Sequence, residues 1–122
     1  MKNVLYGKCV RCGRTYEATP DLTTCQCGGI LDITYDYDYI KARLTKETLA
    51  ARADRSMWRY RELLPIEETT ENTPLRVGNS PLYEEPRLAE LLGLKRLYVK
   101  DDGQNPTASL KDRASAMAVA KA

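Results

Sequence analysis

The sequence predicts an α/β chain in which a small cysteine-bearing β module precedes the first strands and helices of a larger layered body. Three observations predict it. All four cysteines fall within the first 27 residues, among glycines and short apolar stretches. A charged, helix-friendly run follows from about residue 36. From Thr73 onward strand and helix patterns alternate, as in an α/β layer that this chain only begins.

Three segments follow from that reading: 1–35, 36–72 and 73–122. In the first, Val4-Leu5-Tyr6 and Ile30-Leu31-Asp32-Ile33 read as short antiparallel strands around turns. In the second, Ile40, Leu44, Leu49 and Ala53 recur at helical spacing. Tyr35, Tyr37 and Tyr39 alternate with Asp36 and Asp38, which predicts a half-exposed strand end with packed rings and wet hydroxyls. Trp58 is expected to anchor this linker. In the third, Pro86 to Leu92 reads as a helix, with proline at its start and Gly93 just past its end. Lys95 to Lys100 reads as a strand, and Gly103-Gln104-Asn105-Pro106-Thr107 as a loop. Asp101 and Asp102 are expected to be solvated loop carboxylates, since neighbouring strand residues point apart and make a poor metal pair. Ser109, with Asp112 three residues on, matches a helix-start capping signature. The helix it opens carries a small-residue face of Ala114, Met117 and Ala118, and no capping glycine or proline before Ala122.

Composition closes several function classes. Nineteen basic and seventeen acidic side chains leave a net charge of +2, scattered without a basic stripe, so no nucleic-acid partner is expected. No apolar stretch nears the ~20 residues that span a membrane, and no signal-peptide segment opens the chain, so a cytoplasmic protein without a membrane partner is expected. Histidine is absent, which leaves acid–base work to lysine, tyrosine and carboxylates.

The cysteines are spaced Cys9-x2-Cys12 and Cys25-x-Cys27, each pair followed by glycine, at Gly13 and at Gly28-Gly29. Paired thiols of this kind are what a zinc ribbon uses, with glycines that let backbone amides turn toward the sulfurs. A structural Zn2+ held by Cys9, Cys12, Cys25 and Cys27 is the leading expectation. Disulfides, redox chemistry and a metal-free ribbon are the competing ones. Four sulfur ligands would close the site to water and substrate, which argues against a catalytic metal. The second pair has one intervening residue where two are commoner, so a distorted second knuckle is expected.

Lys111 lies in the run Asn105-Pro106-Thr107-Ala108-Ser109-Leu110-Lys111-Asp112-Arg113. The capping signature places it in a helix's first turn, near the positive end of the dipole, beside Arg113 and partly buried. All three effects disfavour an ammonium, and a neutral lysine attacks aldehydes to form a Schiff base. An ordinary exposed lysine is the plain alternative.

That run resembles the lysine motif of fold-type II pyridoxal-phosphate (PLP) enzymes, and most closely that of threonine synthase. Asn72-Thr73-Pro74-Leu75 resembles the segment that opens the catalytic core in this superfamily. The stretch from Ser56 to Pro65, with Trp58-Arg59-Tyr60, resembles the segment preceding it in longer threonine synthases. Two departures stand out: Ala108 where the family commonly has glycine, and Leu110 where it commonly has phenylalanine. The resemblance implies a zinc-ribbon-like module (1–35), a helical linker (36–72) and the start of a PLP-dependent catalytic domain (73–122) of the tryptophan synthase β-like kind. It implies a lyase that converts O-phospho-L-homoserine and water to L-threonine and phosphate, with PLP held by Lys111. Asn105, Thr107 and Ser109 would line the same pocket, and a homodimer is compatible with it. The family's glycine-rich cofactor-phosphate loop is not found between Met1 and Ala122, so this chain alone is expected to be inactive. Cysteate synthase, threonine dehydratase and cysteine synthase share the lysine chemistry. A non-catalytic zinc-ribbon interaction module and a regulatory remnant are the remaining alternatives.

Overall fold

The structure, a computed structural model, describes residues 1–19 and 21–122. Its residues fall into two compact units, one of residues 1–54 and 58–71, the other of residues 55–57 and 72–120.

The first unit is built on a three-stranded antiparallel sheet of order β2-β1-β3, with β1 at Val4–Cys9, β2 at Thr15–Tyr16 and β3 at Leu31–Tyr35. Gly7 faces Tyr16 on one side of β1, and Cys9 faces Leu31 on the other. Alternation along β1 puts Gly7 and Cys9 inside and Lys8 outside, the period-two pattern of a half-buried strand. Helices α1 (Tyr37–Lys41) and α2 (Lys46–Ala51) follow, then a 3-10 segment at Met57–Leu63. Ile40, Trp58 and Ile66 are buried in this unit. Trp58 is only 3% exposed.

The tyrosine run departs from expectation. Only Tyr35 ends a strand; Tyr37 and Tyr39 belong to α1. The reason is Asp36, whose carboxylate accepts from the Tyr39 amide at 2.8 Å and caps the helix. An aspartate that satisfies an orphan amide favours a helix start over a continued strand. The helical spacing from Ile40 to Ala53 likewise resolves into two short helices, because Thr45 opens α2 with a reciprocal capping box to Thr48. Buried Asn3 donates from Nδ2 to the carbonyls of Glu62 (3.0 Å) and Leu64 (2.7 Å), tying β1 to a segment some 60 residues away.

The second unit contains β4 (Leu82–Glu84), α3 (Pro86–Leu91), β5 (Tyr98–Lys100), a 3-10 turn at Asp102–Gln104 and α4 (Asp112–Lys121). Strands β4 and β5 pair antiparallel, Leu82 against Lys100, so α3 is not a crossover between parallel strands. The α/β alternation of the sequence is therefore realised as a two-stranded ribbon with helices. Its interior combines apolar Val77, Ala89 and Ala116 with polar Ser80, Asn105 and Asp112. Among the described residues no helix is long and apolar enough to cross a membrane.

Candidate functional site

The four cysteines converge at one end of the three-stranded sheet. Their sulfurs all lie within 4.8 Å of one another, with Cys12 and Cys25 at 3.5 Å and Cys9 and Cys27 at 3.6 Å. A tetrahedron with metal–sulfur bonds of about 2.3 Å has edges of about 3.8 Å, so the donor set fits one tetrahedral ion. Disulfides, which need sulfurs about 2.05 Å apart, are not formed.

Each knuckle has its own construction. At the first, the chain turns back at the end of β1, and the amides of Arg11 and Cys12 point at Cys9 Sγ from 3.4 and 3.5 Å. At the second, the single intervening residue is absorbed by a tight hairpin. Gly28 N donates to Cys25 O and Cys25 N to Gly29 O, both at 2.8 Å. Gly28 adopts φ +77°, a left-handed conformation that suits glycine. Gly29 is required by close approach: a Cβ there would lie 2.7 Å from Cys9 Sγ and 2.9 Å from Arg11 Cβ. The shortened spacing thus still brings both sulfurs to the cluster.

The local field separates the thiols. The Cys27 amide and then the Tyr16 hydroxyl stabilise the Cys25 thiolate and lower it to about 6. Cys9 is lowered by the Cys12 amide. Cys27 is pulled down by the Gly29 amide, but its three sulfur neighbours outweigh that and push it up to about 12. Four sulfurs this close resist a fourth negative charge unless a cation joins them.

The lysine loop lies in the second unit, and the structure corrects its start. Helix α4 begins at Asp112, with Lys111 at the N-cap position and no side-chain cap. Ser109 does not cap it; its Oγ accepts from the Lys111 amide at 3.1 Å. Asp112 turns the other way, accepting from the Thr107 amide at 2.8 Å and from the Thr107 hydroxyl. Thr107, five residues back, takes the carboxylate that the capping signature assigned to Ser109, three residues back. Lys111 is exposed, so the expected burial is not found. Its amine makes no hydrogen bond or ion pair among the described residues, which leaves it free for chemistry.

The other residues expected near Lys111 are engaged internally. Asn105, 5% exposed, accepts from the Gly78 amide and donates to the Asp102 carbonyl, each at 3.0 Å. Arg113 grips Asp102 with two bonds of 2.8 Å, and Ser80 Oγ donates to the same carboxylate at 2.6 Å. Asp102 is therefore not the solvated carboxylate expected; its guanidinium partner, then Ser80, hold its pKa far below the ordinary value. An apolar cavity of about 380 Å³ is bordered by Thr73, Leu75, Val77, Pro106, Ala116 and Val119, with Thr107 and Asp112 at its edge; Lys111 and Ser109 do not line it. Thr73 Oγ1 is buried without a hydrogen-bond partner. Sequence reading missed Tyr16, whose hydroxyl lies 3.1 Å from Cys25 Sγ. Nothing local announced it, because the contact is made by sheet pairing.

Together these features describe a four-sulfur centre able to hold a metal ion, and a separate loop that presents a free lysine before a helix. Comparison with known proteins gives that combination a context. The chain is 43% identical to threonine synthase of Methanocaldococcus jannaschii over 115 residues, 94% of this chain and 28% of the relative. It is 44% identical to threonine synthase of Methanosarcina acetivorans over 116 residues, again 94% of this chain and 27% of the relative. Threonine synthase of Halalkalibacterium halodurans is 47% identical over 72 residues, 55% of this chain and 20% of the relative. The resemblance to threonine synthase carried by the sequence motifs is thus shown along nearly the entire chain. The chain spans little more than a quarter of the length of the first two relatives. No family model and no solved structure matches it.

Proposed function

We propose that the chain forms part of a threonine synthase, a PLP-dependent lyase that converts O-phospho-L-homoserine and water to L-threonine and phosphate. The observation that carries this reading is the similarity to curated threonine synthases over 94% of the chain. The exposed, unpartnered amine of Lys111 supports it, being the group the lysine motif requires. When bound, the cofactor supplies an electron sink for the substrate's α-carbon.

The residues of this chain contribute holding and orientation. Lys111 is the amine that binds the cofactor's aldehyde and then serves as a proton carrier beside the substrate. Ser109 steers the Lys111 backbone, and Thr107 and Asn105 fix the loop through Asp112, Gly78 and Asp102. In this reading Asn105, Thr107 and Ser109 border the cofactor while shaping the loop. Residues 73–122 begin a fold-type II catalytic domain, 36–72 lead into it, and 1–35 form a zinc-ribbon-like module. Cys9, Cys12, Cys25 and Cys27 hold a structural Zn2+, whose tetrahedral demand their sulfurs meet. Cysteines kept out of disulfides suit the reducing cytoplasm.

Borohydride reduction of the chain with PLP tests the lysine assignment. Selective labelling of Lys111, read by peptide mass spectrometry, is the expected result. Labelling no stronger at Lys111 than at the other lysines counts against it. The chain by itself is expected to release no phosphate from O-phosphohomoserine, whereas the protein containing it releases one phosphate per threonine formed.

A further inference from the structure

We propose that Tyr16 is an outer-shell residue of the metal centre, donating a hydrogen bond to the Cys25 sulfur that strengthens metal retention and sets the electronic character of that bond. This rests on the four cysteines holding a metal ion.

The direction of the bond follows from geometry. The Tyr16 hydroxyl oxygen lies 3.1 Å from Cys25 Sγ. The Gln26 backbone N–H donates to that same oxygen at 3.4 Å. With its oxygen used as an acceptor, the hydroxyl directs its proton at the sulfur, and a metal-bound thiolate can only accept. The position is built rather than incidental. Strand β2 pairs with β1 through Gly7 and Tyr16, which sets the tyrosine beside the strand that ends at Cys9. Arg14, at the start of the same hairpin arm, donates to the Gln26 side chain at 2.5 Å and holds the second knuckle against it. Cys9 is served by backbone amides. Among the described residues, Tyr16 provides the only side-chain hydroxyl bonded to a cluster sulfur.

The consequence is chemical. Four thiolates crowd negative charge around one dication, and a donor on one of them withdraws density without occupying a coordination position. That lowers repulsion among the sulfurs, keeps the ion in place, and makes Cys25 a poorer electron donor than it would otherwise be.

Cobalt substitution of the 122-residue chain reads this directly, because the thiolate-to-cobalt charge-transfer band reports sulfur electron density while the d–d bands report geometry. In Tyr16→Phe the tetrahedral d–d bands should remain and the charge-transfer band should move to lower energy. Zinc affinity, measured by competition with a chromophoric chelator, should fall about 10-fold. An unchanged band and affinity overturn the proposal. Should the phenylalanine variant loosen β2 and bind no cobalt, replacement of Tyr16 by 3-fluorotyrosine decides, since a stronger donor must move the band to higher energy. A fluorinated chain with an unmoved band overturns the role of Tyr16 while leaving the metal centre intact. A wild-type chain that takes up no cobalt overturns the metal reading, and this proposal with it.

Discussion

Ala108 shows how a single departure from a family pattern acquires a physical meaning. It stands where the lysine motif commonly has glycine, and the structure gives it φ +56°, in the left-handed region. An L-residue there costs about 1–2 kcal/mol, because Cβ approaches the following carbonyl. The conformation is held by the Ala108 amide on the Asn105 carbonyl (2.9 Å) and by the Asp112–Thr107 clamp on the other side. Ala108→Gly removes the steric cost but gives the unfolded chain about 0.5–1 kcal/mol of extra entropy. The net expectation is a gain of about 0.5–1 kcal/mol in the stability of the second unit, checked by urea denaturation. A loss on that measurement would mean the left-handed turn is not the resting conformation. The need for glycine was legible in the sequence only through the resemblance. No spacing or composition rule marks one alanine in a loop as strained.

Local motifs and long-range contacts were not equally readable among the helices, strands and loops. The cysteine knuckles were visible because only two residues separate Cys9 from Cys12 and one separates Cys25 from Cys27, so spacing alone brings each pair together. Helix α3 was visible because proline and glycine bracket it. The start of α4 was misplaced because Ser109 and Thr107 compete for Asp112, and sequence does not say which wins. Tyr37 and Tyr39 were misplaced because alternation over five residues could not be weighed against one capping aspartate. The Asp102–Arg113–Ser80 cluster was invisible, since Ser80 lies 22 residues before Asp102. That cluster ties the 3-10 turn after β5 to the first turn of α4, so it holds both ends of the lysine loop. Asp102 has a folded pKa below its unfolded one, so the stability it contributes is present above about pH 3.9 and is lost as pH falls toward its lowered value. Arg113→Ala should flatten the acid limb of a stability-against-pH curve below about pH 4, and an unchanged slope would show that the pair does not carry it.

The division into two units gives the cysteine cluster and the lysine loop separate foundations. All four cysteines belong to the first unit, and Lys111 with its loop belongs to the second. Small modules with little apolar interior depend on their metal for folding free energy. Chelation of a zinc-loaded chain should therefore raise amide hydrogen exchange in β1, β2 and β3, with little change in α4. Equal deprotection of α4 would show the two units to be energetically one. The antiparallel β4–β5 pairing of the second unit could not be read from alternation of strand and helix.

Asn3 imposes an order of events during synthesis. Its side-chain amide is satisfied by carbonyls of residues 62 and 64, so β1 reaches its final hydrogen bonding only after those residues have been made. The cysteines need no such wait, because the last of them is residue 27. At roughly 5–20 residues per second, translation leaves an interval of about 2–8 seconds between the emergence of the metal ligands and the closing of that latch. If the proposed ion binds on the ribosome, it would do so with one end of the sheet still open, and the latch would seal the module afterwards.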